Sequence, residues 1–137
     1  MRYKSIKFFW IGALLLLPLW LGAQQLQNEE EELKQMREAI DRTVESYETL
    51  LDLEDWQTFY VDSILTHDYD ALRLELKSMQ AAKMSKSAVS SQVPDKWAAQ
   101  ISVSLQKVLN EEQWAKYLKS GAAREKKSRD KRAAKRK

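Results

Sequence analysis

The 137 residues leave room for one small domain. With no cysteine, disulfides and thiolate metal sites are excluded, and one histidine and three glycines leave little from which to build histidine-based catalysis or a glycine-rich phosphate loop. The formal net charge of +3 is carried by Arg2, Lys4 and Lys7; residues 24–113 hold 9 basic and 18 acidic side chains and residues 114–137 hold 11 and 2, so the rest is neutral but split into an acidic body and a basic end.

The opening MRYKSIKFFWIGALLLLPLWLGAQ sets Arg2, Lys4 and Lys7 before an uncharged apolar run from Phe8 to Leu21 and the small residue Ala23. This is the layout of a secretory signal peptide over residues 1–23. A membrane anchor is the competing reading, but a span needs about 20 apolar residues, and this run is shorter and interrupted by Pro18. The expectation is a chain that begins at Gln24 after cleavage and is periplasmic or secreted.

Scarce glycine and proline argue for few, long elements with short connections. The expected fold is all-α, an antiparallel bundle or hairpin of about four helices over residues 24–120, with a basic tail over 121–137. Helix one is predicted over Leu26–Leu50, from Leu33, Met36, Ile40, Val44, Tyr47 and Leu51 at steps of three and four. Helix two, over Glu54–Lys83, carries two adjacent stripes, one with Trp56, Tyr60, Ile64 and His67, the other with Val61, Leu65, Leu72, Leu76 and Met79. So wide an apolar face places helix two at the centre.

The serine-rich stretch from Met84 to Val93 is predicted to be a loop ending at Pro94. Helix three follows from Asp95 with Trp97, Ile101, Leu105 and Val108, then a break over Leu109–Gln113 and a last helix with Trp114, Tyr117 and Leu118. Beyond Leu118 the only apolar side chains are alanines. The tail, with Arg124, Lys126, Lys127, Arg129, Lys131, Arg132, Lys135, Arg136 and Lys137, is thus read as solvated and loosely attracted to the acidic body or to an anionic membrane surface. It has no aromatic ring to stack on bases, which argues against a nucleic-acid partner.

A pentapeptide with Leu first and Gln last occurs twice, at Leu53–Gln57 and at Leu109–Gln113. If its second residue is a helix N-cap, Gln is the third helical residue and reaches back to the cap amide, as in a capping box. Asn110 is a good cap. Glu54 is a poor one, which would let the first copy start at Asp52 or continue helix one. Both pentapeptides resemble the LTxxQ motif found twice in the Spy/CpxP family of small helical periplasmic proteins, with Glu54 and Asn110 standing where that motif has Thr. The resemblance implies a curved, cradle-shaped homodimer and ATP-independent chaperone activity in envelope stress, with protein clients or a second copy of the chain as partners.

No catalytic, cofactor-binding or metal-binding residues are expected. His67 is predicted to be part-buried and bonded to a neighbour, a pH or metal switch with Asp68 or Asp70 being the alternative; one imidazole beside carboxylates is a weak transition-metal site. Trp56, Tyr60, Trp97 and Trp114 fit either core packing or an aromatic surface for partly unfolded clients. The function expected is protein binding without nucleotide. Its rival is a scaffold whose acidic body and basic tail assemble neighbouring copies.

Overall fold

The computed structural model describes residues 17–137, with side chains from Gln24 onward; the charged start and most of the apolar run of the expected signal peptide lie outside the described residues. The elements are helix α1 (Leu17–Leu51), helix α2 (Asp55–Ala81), a π-helical turn (Ala88–Gln92), helix α3 (Val93–Val108), helix α4 (Glu111–Tyr117), a second π-helical turn (Leu118–Ala122) and helix α5 (Ala123–Lys135). The fold is all-α, as expected. None of the described helices is long and apolar enough to cross a membrane.

The chain divides into two compact units, Met1–Arg37 and Glu38–Lys137. In the first, residues 24–35 are exposed throughout, Leu33 included. Periodicity puts Leu33 on the apolar stripe of helix one, but it shows only which side of a helix is apolar, not that a partner covers it.

The second unit holds the core. Ile40, Leu51, Val61, Leu65 and Leu105 are almost fully buried, with Val44, Ala88, Val93, Ile101, Leu109 and Tyr117 around them. Helices α2 and α3 pack antiparallel. At one end the Gln57 amide donates to the Val108 carbonyl, and at the other Glu75 receives Lys96 and Trp97. Of the two stripes predicted on helix two, one is buried at Val61 and Leu65 and half-buried at Leu72, Leu76 and Met79, whereas Trp56, Tyr60 and His67 of the other face water and Ile64 is half-buried.

The expected serine-rich loop is mostly helical. After a short turn in which Lys83 takes φ 53°, Ser85 Oγ accepts the Ala88 amide at 3.3 Å and the π-helical turn begins. There the Val93 amide reaches back five residues to the Ala88 carbonyl. The wider turn makes room for the Pro94 ring, which then lies in the first turn of α3, where its missing N–H costs little. Ala88 and Val93 are thereby buried rather than looped out.

The tail also departs from the expectation of a loosely held end. Gly121, at φ 118°, takes a conformation that L side chains rarely adopt and turns the chain from α4 towards α5. Helix α5 buries no residue of its own, yet it runs antiparallel to α3: Arg132 grips Asp95 and Arg136 reaches Ser91.

Candidate protein-binding site

The two pentapeptide glutamines meet. Gln57 Nε2 donates to Gln113 Oε1 at 2.7 Å, and Gln113 Nε2 donates to Gln57 Oε1 at 2.9 Å. Each oxygen also accepts the amide three residues earlier, from Glu54 and Asn110 respectively, both at 3.0 Å. Each nitrogen also donates to a carbonyl five residues before the partner glutamine, Val108 at 3.0 Å and Asp52 at 3.4 Å. Both amides are buried, and all their donors and acceptors are used.

The motif is therefore a cross-link as well as a cap, tying the start of α2 to the start of α4 around a local two-fold arrangement. Leu109 is buried beside it and Leu53 half-buried. The first copy does break the chain, against the expectation of a start at Asp52 or a continuous helix. Asp52 takes φ 53°, and Glu54, in extended conformation, caps α2. The weak cap is offset by Gln57. Asn110 behaves as expected, its Oδ1 accepting the Gln113 amide at 2.9 Å.

Gln57 and Val61, four residues apart, share the buried face of α2, while Trp56, Phe59 and Tyr60 are exposed. Their exposures are 52%, 66% and 51%, and their rings touch edge to face, with centroids 6.2 Å apart for Trp56 and Tyr60 and 5.7 Å for Phe59 and Tyr60. The indole Nε1 of Trp56 donates to Glu54 Oε2 at 2.5 Å, which holds that ring in place. Three large rings together on the outside of a pinned helix form an exposed apolar patch of the sort that marks an interaction site. Core packing, one of the two roles considered for Trp56 and Tyr60, is thus corrected. Phe59 was missed, although its place three residues after Trp56 put it on the same face.

The other tryptophans enter separate groups. Trp97 is half-buried, donates to Glu75 Oε2 at 2.6 Å and lies beneath Lys96 Nζ, 5.1 Å from the ring centre. The Lys96 and Trp97 hydrogen bonds hold the Glu75 carboxyl below its ordinary range. Trp114 stacks on Tyr117 at 5.1 Å, and Tyr117 meets Tyr47 edge to face at 5.7 Å. Burial raises the pKa of both tyrosines, and Tyr117 adds to the rise at Tyr47.

His67 is more exposed than expected, with 79% of its side chain open, but it does bond its neighbour: Nδ1 lies 2.8 Å from Oδ1 of the buried Asp68. Among the described residues no group of three or more His, Cys, Asp or Glu side chains is arranged to hold a metal. Of the tail cations, Arg132 makes two hydrogen bonds to Asp95, at 2.7 and 3.0 Å, Arg136 adds a longer contact at 3.5 Å, and Lys126 pairs with Asp130. Arg132 holds the Asp95 carboxyl below its ordinary range. Between α3 and α5 lies a groove of about 390 Å³ with Val103 and Trp114 among its lining residues.

Comparison with known family models, curated proteins and solved structures found no match.

Proposed function

We propose that this is an exported, envelope-located helical protein that holds partly unfolded proteins on the aromatic patch of α2 without using nucleotide. The observation that carries the reading is the exposure of Trp56, Phe59 and Tyr60 in mutual contact on a helix fixed from its other side by the Gln57–Gln113 pair. The doubled motif, now with a structural role, keeps the resemblance to the Spy/CpxP family as support for the same reading.

The energetics suit holding rather than permanent capture. Covering on the order of 200 Å² of apolar surface is worth about 5 kcal/mol gross at about 25 cal/mol per Å². Lost translational and rotational freedom consumes much of that, so one patch binds weakly and releases readily. The scaffold alternative has less support, because Arg132 and Arg136 already engage Asp95 within the same chain.

The test is suppression of aggregation. The purified protein, without nucleotide, is expected to lower the light scattering of a chemically unfolded test protein. Scattering unchanged at several-fold molar excess would sink the proposal.

A further inference from the structure

The patch lies in a stretch of the sequence whose Asp, Glu, Lys and Arg charges are all of one sign. Between Arg42 and Arg73 there is no Lys or Arg, while that stretch holds eight Asp and Glu. Among them, Asp52, Glu54 and Asp55 are exposed at the end of the helix that carries the rings, and the half-buried Asp62 follows two turns later. The helix N-terminus itself carries a partial positive charge, but four carboxylates within about two turns outweigh a half-charge equivalent.

We infer that the aromatic patch on α2 selects cationic segments, so that the clients it holds are polypeptides in which apolar residues are flanked by Lys or Arg. This rests on the proposed holding function and specifies its substrate class. Two interactions favour such a segment. Carboxylates beside the patch attract it over roughly a Debye length, about 8–10 Å at ordinary salt. The faces of Trp56 and Tyr60 also accept a cation. Lys96 over the Trp97 ring shows the same contact elsewhere in this chain. A segment flanked by Asp or Glu is repelled by the same groups, so charge discriminates where apolar contact does not.

The basic tail of a second copy is the nearest rival occupant. It has no side chain more apolar than alanine between Gly121 and Lys137 to cover three rings, and two of its arginines are engaged on Asp95.

The experiment uses the full chain and synthetic peptides of one apolar sequence flanked by Lys, Gln or Glu, with binding read by fluorescence anisotropy. The Lys-flanked peptide is expected to bind at least ~10-fold more tightly than the Glu-flanked one at low salt, with the gap closing towards ~2-fold near 0.5 M salt. Asp52→Asn with Asp55→Asn should narrow the gap at low salt and leave the Gln-flanked peptide nearly unaffected, whereas Phe59→Ser should weaken all three. Equal binding of the three peptides, with loss on Phe59→Ser, would overturn the charge selection and leave the holding function standing. No binding by any peptide would overturn both. If the Lys-flanked peptide binds only once residues 123–137 are removed, the tail of another copy is the occupant, and the client assignment is overturned.

Discussion

Replacing Gln113 by Ala removes one half of a buried amide pair and leaves the other half, the Asn110 amide and the Asp52 carbonyl short of partners. Buried polar groups so orphaned cost about 1–3 kcal/mol each, less whatever water recovers, so Gln113→Ala should destabilise by about 2–4 kcal/mol in denaturant titrations. Gln57→Ala should cost a similar amount. Because the two residues act as one unit, the double variant should fall short of the sum by ~1 kcal/mol or more. Additive losses would mean that the two caps act independently. The sequence allowed each glutamine to be read as a cap, since capping is local. It could not pair them, because a separation of 56 residues says nothing about contact until the helices are placed.

Trp56 marks the opposite limit of sequence reading. Hydrophobic spacing put it on an apolar stripe, but that stripe faces water, and Leu65 on the neighbouring stripe is the core residue. Leu65→Ala should cost about 2–5 kcal/mol, and Trp56→Ala no more than ~0.5–1 kcal/mol. Thermal melts of the two variants distinguish a patch from a core.

At the scale of elements, α5 is the least secured part of the second unit, since it buries nothing and leans on the Asp95 clasp. Asp95 has its pKa lowered in the folded protein, chiefly by the Arg132 hydrogen bond. Its contribution is therefore present above the ordinary aspartate value of 3.8 and is lost as pH falls through the lower, folded value. The hydrogen-exchange protection factors of amides 123–135, corrected for the intrinsic rate at each pH, should fall below about pH 4, and also at neutral pH in Asp95→Asn, while amides 57–68 of α2 stay protected. Exchange in α5 as slow as in α2 under both conditions would show that the clasp is not what holds it. Tyr47 and Tyr117 act in the other direction. Their raised values mean that stability is full below the ordinary tyrosine value of 10.0 and falls as pH rises through the folded values.

The same scale shows why some elements were legible and others were not. The break at Leu109 follows from the good local cap Asn110, whereas the one at Leu53 rests on the weak cap Glu54 and on a glutamine pair that sequence does not reveal. Over 84–93 the sequence predicts a loop, because serine and a following proline usually end a helix. A π-helical turn reverses that inference by admitting the ring, and no spacing rule announces it. The tail had no apolar stripe by which to place it, and its docking depends on one acidic partner at the start of α3.

Over the whole molecule, the charge split is only partly spent within the chain. Arg132 and Arg136 meet Asp95, Lys96 meets Glu75 and Arg73 meets Asp70, while Asp52, Glu54 and Asp55 beside the aromatic patch are exposed. The architecture thus separates a stabilising interior, organised by Gln57 and Gln113, from a sticky exterior on the same helix. Clients are proposed to rest on that exterior. Site-specific photo-crosslinking tests it most directly, with a benzophenone side chain placed at Phe59 in one form and, in another, at Val103, an exposed apolar residue of the α3–α5 groove. Illuminated with a chemically unfolded test protein, the form labelled at 59 should crosslink to it and the form labelled at 103 should not; crosslinking at 103 with none at 59 would contradict the account.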